Sequence, residues 1–253
     1  MSRLRERITD VVLHSRVHSL ADDLTRFRGF DALEVSFPEA GFSTTVYYPQ
    51  ARSGWVEPIH DTTYYEELTV RTLADELSPG DVFWDVGSRT GYFAQIGSGV
   101  TDPSNVYVFE AMQGRSRIIR TINRRYYGGA FTVEHTRLSD RSGDGSTAGD
   151  DYAKAHGTPD VVKLDIEGGE YPALQGLDRT LREHRPTLLV EMHYEAIEAL
   201  GGSVEEMHAT LGDVYDSVWI ADRYRRQEET WRPLEAVDGG WIEGSFQLLC
   251  TSE

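Results

Sequence analysis

Val82-Phe83-Trp84-Asp85-Val86-Gly87-Ser88-Arg89-Thr90-Gly91 is an apolar run closed by an acid and two glycines. That pattern fits a buried strand feeding a tight turn and then a helix. Gly87 is expected to supply positive φ and Gly91 a close backbone approach. A second apolar run, Val106-Tyr107-Val108-Phe109, ends in Glu110, 25 residues after Asp85, about one strand-helix-strand step. A carboxylate at that point can accept from both hydroxyls of a ribose. The two stretches together predict a nucleoside-binding half-fold at the carboxyl edge of an open sheet.

Outward from this centre, strands are expected over 82–86, 106–110, 131–135, 160–165, 187–192, 214–221 and 245–250, with helices notably over 115–127 and 171–184. The alternation implies an α/β, Rossmann-like fold with a mostly parallel sheet and helices on both faces. Residues 222–244 carry Pro233 and paired glycines and read as a long loop. The last two strands would then form a terminal antiparallel hairpin in a seven-stranded sheet. Upstream, a helix is expected over 64–77, stopped by Ser78-Pro79-Gly80. Residues 33–48 alternate apolar and polar about Pro38-Glu39-Ala40-Gly41, as a hairpin does. Residues 2–28 have the spacing of one or two amphipathic packing helices. The expected division is an N-terminal helical and hairpin appendage, 1–61, and a cofactor-binding domain, 62–253. The stretch 141–149, Arg-Ser-Gly-Asp-Gly-Ser-Thr-Ala-Gly, has a loop composition suited to lying over the cofactor.

The 253 residues suffice for one large α/β domain. No apolar run approaches the roughly 18–20 residues of a membrane span, and the amino terminus alternates charges where a signal peptide would be greasy. A cytoplasmic protein is expected. Its 42 acids against 25 bases give a net charge of −17, with Lys154 and Lys163 the only lysines. Such self-repulsion is screened by concentrated salt, which suggests a halophilic cytoplasm. The same charge argues against a nucleic-acid partner, since Arg124-Arg125 and Arg223 with Arg225-Arg226 are too few to displace phosphate counterions. The single cysteine, Cys250, is expected to be a core thiol.

A pyrophosphate fingerprint needs Gly-x-Gly-x-x-Gly, and Gly87-x-x-x-Gly91-Tyr92 lacks its middle and final glycines. S-adenosylmethionine has no pyrophosphate and needs only a close backbone approach and amide donors, so it is preferred over a dinucleotide. The most specific stretch is Asp160-Val161-Val162-Lys163-Leu164-Asp165-Ile166-Glu167-Gly168-Gly169-Glu170. It is followed by Ala173-Leu174-Gln175-Gly176-Leu177 and by Pro186-Thr187-Leu188-Leu189-Val190-Glu191-Met192-His193. Over roughly 62–200 the chain resembles the FkbM-type S-adenosylmethionine-dependent methyltransferases, with their Lys-Ile-Asp-Val-Glu-Gly-Ala-Glu block and Glu-x-His strand end. Gly169 stands where that family usually has alanine, and Ser88-Arg89 where it has Ala-Asn. The resemblance implies a class I methyltransferase fold for 62–253, with O-methylation of a hydroxyl or carboxyl on a glycan or natural product.

The expected cofactor-binding residues are Asp85, Gly87, Ser88, Arg89, Thr90, Gly91, Glu110, Ala111, Ser139, Asp140 and Asp165. Glu110 would take the ribose hydroxyls, and Asp140, of a Ser-Asp pair resembling the family's, the adenine amino group. Tyr92 and Phe93 could line the pocket or belong to the core. The expected catalytic residues are His193, Glu191, Asp165 and Glu167, at the carboxyl ends of the fourth and fifth strands. His193 suits a general base because an unperturbed imidazole titrates at about 6.5; Glu191 would orient it. Glu170 could act as a first-turn acid, and Lys163 needs an acid partner if buried. No metal centre is expected, because no ligand-spacing motif is present, although the same acids and imidazole could ligate magnesium or manganese. The expected partner is a small-molecule or glycan acceptor. Alternatives are methyl-ester formation on a sugar-acid carboxylate, which needs no base, and a non-catalytic scaffold in a glycan-assembly complex.

Overall fold

The computed structural model describes residues 29–37, 41–50, 65–225, 229–236 and 244–252. The helices expected over 2–28, the hairpin tip Pro38 to Ala40, the 61/62 boundary, and 226–228 and 237–243 of the long loop lie outside the described residues. The chain runs β1 (Phe30–Phe37), β2 (Phe42–Pro49), α1 (Glu67–Glu76), β3 (Phe83–Val86), α2 (Tyr92–Gly97), β4 (Val106–Phe109) and α3 (Gln113–Tyr126). It continues through β5 (Thr132–Glu134), β6 (Arg137–Ser139), β7 (Ser146–Ala148), α4 (Gly149–His156), β8 (Val161–Leu164), α5 (Glu170–Gln175) and α6 (Asp178–His184). It ends with β9 (Thr187–His193), α7 (Tyr194–Ala199), α8 (Val204–Val214), β10 (Ser217–Ala221), β11 (Arg232–Pro233) and β12 (Ser245–Thr251).

The central sheet has the order β11-β10-β12-β9-β8-β3-β4-β5. From β9 to β5 the strands are parallel, and β12 is antiparallel to both β9 and β10. The terminal antiparallel hairpin is therefore present, but the sheet has eight strands where seven are expected. The extra one, β11, comes from the stretch read as loop. Its Pro233 lies opposite Trp219 on the sheet's edge, the one place where a residue without an N–H costs no ladder bond. The chain steps outward from β3 through β4 to β5 and then returns to β8 on the other side of β3. That reversal opens a crevice at the carboxyl ends of β3 and β8, where open α/β sheets bind ligands.

The central strands bury both faces, which explains their continuous apolar runs. Trp84, Val86, Val162, Leu164, Leu188 and Val190 enter one cluster; Phe83, Val106, Val108, Val161 and Leu189 enter the other. The β1–β2 hairpin contributes Val35, Phe37, Phe42 and Val46 to the second cluster. Gln95 of α2 clamps it, accepting from the Tyr47 amide at 2.8 Å and donating to the Tyr47 carbonyl at 3.0 Å. Cys250 is a buried free thiol. Among the described residues, no helix is long and apolar enough to cross a membrane.

Three departures from expectation have a visible physical cause. The helix expected over 171–184 is two, α5 and α6, because Gly176 packs its Cα against the Ser139 carbonyl and Asp150 caps the second helix. The Asp150 carboxylate accepts from the amides of Arg179 at 3.1 Å and Thr180 at 2.8 Å. The strand expected from 214 begins at Ser217, since Val214 closes α8. Within 141–149, Ser146–Ala148 is strand β7 paired with β6, and Gly149 begins α4, so this stretch is only partly loop.

Candidate functional site

The turn after β3 is held from below by Asp85. Its buried carboxylate accepts from the Ser88 hydroxyl and, at 2.9 Å, from the Ala94 amide. Gly87 has φ 84° and Gly91 φ 82°, so both use the left-handed region that glycine permits. The close approach expected at Gly91 belongs instead to Gly87: a Cβ there would overlap the Asp165 carbonyl oxygen, whereas at Gly91 it would meet nothing nearer than Ile119, at 3.5 Å. Arg89 also has positive φ, 56°, and this turns its amide toward the next strand. Thr90 lies beside it, partly exposed.

Glu110 directly follows β4, within reach of that turn. Its Oε2 accepts from the Arg89 amide at 2.9 Å and its Oε1 from the Met112 amide at 2.7 Å. Burial raises its pKa, against the lowering effect of those amides and Arg115. The Ala111 carbonyl lies 3.2 Å from His135 Nε2. Ser139 ends β6 and Asp140 follows it, the Ser139 hydroxyl donating to Asp140 at 3.1 Å, and Asp140 is exposed. Tyr92 and Phe93 are core residues.

One row per central strand changes from apolar to charged at its carboxyl end. On the face of Phe83, Val161 and Leu189 the next inward positions are Asp85, Lys163 and Glu191, followed by Gly87, Asp165 and His193. Asp85 and Lys163 are cross-strand neighbours. The buried Lys163 ammonium pairs with Asp165 Oδ2 at 3.2 Å and lies 4.4 Å from the centroid of the Phe93 ring. Burial disfavours its charge, but Asp165, Asp85, Glu66 and Glu191 outweigh that and hold its pKa above the usual lysine range.

His193 sits amid four carboxylates. Nδ1 lies 2.9 Å from Glu170 Oε1, and Nε2 lies 3.1 Å from Glu191 Oε1, 3.6 Å from Glu167 Oε2 and 3.9 Å from Asp165 Oδ1. Burial lowers its pKa, but the hydrogen bonds and charges of Glu170 and Glu191 raise it to about 11. These carboxylates favour the protonated ring over the neutral imidazole that a general base requires. The acid on Nδ1 is Glu170, not Glu191. Two of the four carboxylates are open to solvent, Asp165 at 22% and Glu167 at 74% of side-chain exposure; Glu170 and Glu191 are buried.

Sequence reading missed the residues that close the cluster from behind. Tyr224 donates its hydroxyl to Glu191 Oε1, and Arg225 Nη2 lies 3.0 Å from the same oxygen. Glu66, buried at the start of α1, stands 3.7 Å from Arg225 Nε and accepts from Gln247 at 3.3 Å. Burial raises its pKa, with Lys163 opposing. The buried acid of Tyr65-Glu66-Glu67 before an apolar helix was the available signal for Glu66; Tyr224 and Arg225 lie in a stretch with no periodicity to place them.

Comparison with known proteins gives a match of residues 42–218 to the methyltransferase FkbM domain. Hexuronic acid methyltransferase AglP of Haloferax volcanii is 29% identical over 153 residues, covering 51% of this chain and 62% of that protein. The methyltransferase FkbM structure from Methylobacillus flagellatus KT is similar with a TM-score of 0.49 at 19% identity, over 68% of this chain and 44% of that one. Magnesium protoporphyrin IX methyltransferase from Synechocystis PCC 6803, solved with bound SAM, also gives 0.49, at 16% identity over 81% and 86%. The chain therefore spans less than two thirds of the length of the first two of these relatives.

Proposed function

The chain belongs to the FkbM methyltransferase family, and from that premise we propose that it transfers a methyl group from S-adenosylmethionine to a hydroxyl of a glycan or other polyhydroxylated small molecule. The observation that carries this is a shared wall: Gly87 of the cofactor turn packs on the Asp165 carbonyl, the first residue of the acid cluster. Donor and acceptor sites are then contiguous. The residues present fit the cofactor. Each Glu110 oxygen takes one backbone amide and keeps lone-pair capacity for a ribose hydroxyl. Bound there, S-adenosylmethionine supplies a methyl carbon already activated by its sulfonium.

Asp165 and Glu167 receive the acceptor, being the two open carboxylates. Lys163 occupies Asp165 Oδ2, which fixes the rotamer and leaves Oδ1 to take a hydroxyl proton. Positioning of this kind is worth about 7–11 kcal/mol and a general base about 10²–10⁴-fold in rate. The division into an appendage, 1–61, and a methyltransferase domain, 62–253, belongs to the same proposal.

Methyl-ester formation is the second reading, favoured by Arg225, whose side chain is 59% exposed beside the cluster and could pair with an acceptor carboxylate. Incubation with radiolabelled S-adenosylmethionine and neutral or uronic-acid oligosaccharides separates the two. An alkali-stable methyl ether is expected; an alkali-labile product establishes the ester instead. Failure to bind S-adenosylhomocysteine in calorimetry would leave only the scaffold alternative.

A further inference from the structure

Asp165, Glu167 and His193 can each offer one ligand atom such that all three lie within 4.8 Å of one another. Donors about 2.1–2.2 Å from one ion stand roughly 3.0 Å apart at a right angle and roughly 4.3 Å apart across it. The separations from Nε2, 3.6 Å to Glu167 and 3.9 Å to Asp165, fall inside that range. We propose that these three side chains form a divalent-cation site, of the manganese type that accepts mixed imidazole and carboxylate donors.

Two features beyond the acid cluster point to such a ligand. The first is the orientation of the ring. Glu170, wholly buried, receives Nδ1–H at 2.9 Å and is itself fixed by the Ile166 amide at 3.1 Å. A carboxylate behind a ligating histidine sets its tautomer and directs the lone pair of the far nitrogen at the metal. Nothing in an imidazole held only for packing requires that nitrogen to face three further carboxylates. The second is an orphan. Glu191, whose side chain is 1% exposed, places Oε1 3.1 Å from Nε2 and keeps Oε2 buried with no hydrogen-bond partner. A buried carboxylate oxygen without a donor is costly, and a divalent charge at Nε2, beside the other oxygen of the same carboxylate, lowers that cost electrostatically.

Asp165 and Glu167 are the open members of the cluster, so coordination positions beyond the three protein donors face the crevice, where a hydroxyl oxygen could complete them. Glu167 enters the site with φ 56°, a strained conformation for a residue with a side chain, and its Oε2 lies 3.6 Å from His193 Nε2. The ligand set 165, 167 and 193 has no spacing motif because two strands supply it, which is why the sequence alone argued against a metal.

Use of the ion to hold the acceptor hydroxyl rests on the methyl-transfer reading, and there the ion takes the place of Asp165 Oδ1 in activating that hydroxyl; its binding does not rest on that reading. The test is Mn2+ titration of the full chain in 2 M KCl, followed by the electron paramagnetic resonance of free Mn2+, for wild type, Glu167→Gln and the surface control Asp178→Asn. One saturable site is expected in wild type and in Asp178→Asn, weakened about 10–100-fold in Glu167→Gln, whose exposed side chain makes misfolding no explanation. Absence of saturable binding, or equal affinity in all three proteins, overturns the site. Calorimetry with S-adenosylhomocysteine on the same samples separates the two ideas. Mn2+ binding without the nucleoside leaves the metal site and removes the methyl-transfer role; the converse removes the metal alone.

Discussion

The backbone amide of Arg89 donates a 2.9 Å hydrogen bond to the carboxylate of Glu110. A left-handed residue in the first turn and an acid at the end of the next strand are thus one unit. The contact explains why Arg89 tolerates φ 56°: the strain aims an N–H that would otherwise lie unsatisfied beside a buried charge.

Glu110→Gln should weaken S-adenosylhomocysteine about 10–100-fold, the worth of roughly 1.5–3 kcal/mol for hydrogen bonds to a charged group. Its pKa is raised, chiefly by burial, so the folded protein binds this proton more tightly than the unfolded chain. As pH rises through that window, above the ordinary glutamate value of about 4.3, ionisation costs the free protein stability and improves the ribose site. Calorimetry between pH 4.5 and 8 should show affinity rising with pH in wild type and flat in the variant. A rise that persists in Glu110→Gln assigns the dependence to another group.

Gly87→Ala and Gly91→Ala should differ in kind. Both force a side chain onto a left-handed residue, costing about 1–3 kcal/mol. Only at Gly87 does the new methyl meet backbone, the Asp165 carbonyl, while at Gly91 it finds ordinary contact with Ile119. Overpacking adds roughly 1–3 kcal/mol at Gly87, and the displaced Asp165 should carry acceptor turnover down with it. Urea unfolding measures the difference; equal losses at the two positions refute the close approach.

The sheet and its crevice were legible because they rest on periodicity. Phe83 and Trp84, or Leu188 and Leu189, announce strands buried on both faces, and Asp85 and Glu110 mark strand ends by interrupting the run. That Asp85, Lys163 and Glu191 share a face was legible too, each lying two residues beyond an inward apolar residue. What escaped was context. His193 has an imidazole's ordinary proton affinity in sequence and a very different one among Glu170, Glu191, Glu167 and Asp165. Tyr224 and Arg225 reach the cluster from a loop, where no period fixes direction. The break between α5 and α6 depends on Asp150, some 30 residues away.

Tyr224→Phe tests that missed wall. The hydroxyl donates to Glu191 in a buried setting, and its removal leaves the carboxylate short of a donor. The loss should be about 1–3 kcal/mol in chemical denaturation, with S-adenosylhomocysteine affinity unchanged because Glu110 and the glycine turn are untouched. Acceptor turnover should fall, since Glu191 also faces His193. A variant as stable as wild type would mean that Arg225 and His193 already satisfy Glu191.

The net charge of −17 should make stability depend on salt in a particular way. Exposed pairs such as Arg71–Glu67 and Arg182–Asp178 are of the kind worth only about 0–1 kcal/mol. They cannot offset a general excess of 17 acids. At 0.1 M the Debye length is about 10 Å, so neighbouring carboxylates repel across the surface; by 1 M it is about 3 Å, shorter than their spacing. Screening is then nearly complete. Raising KCl from 0.1 to 2 M should lift the melting temperature by about 2–4 °C for each kcal/mol of repulsion relieved, with most of the gain below 1 M. A flat melting temperature removes self-repulsion as a destabilising force. A gain still growing linearly beyond 1 M assigns the effect to salt exclusion from apolar surface.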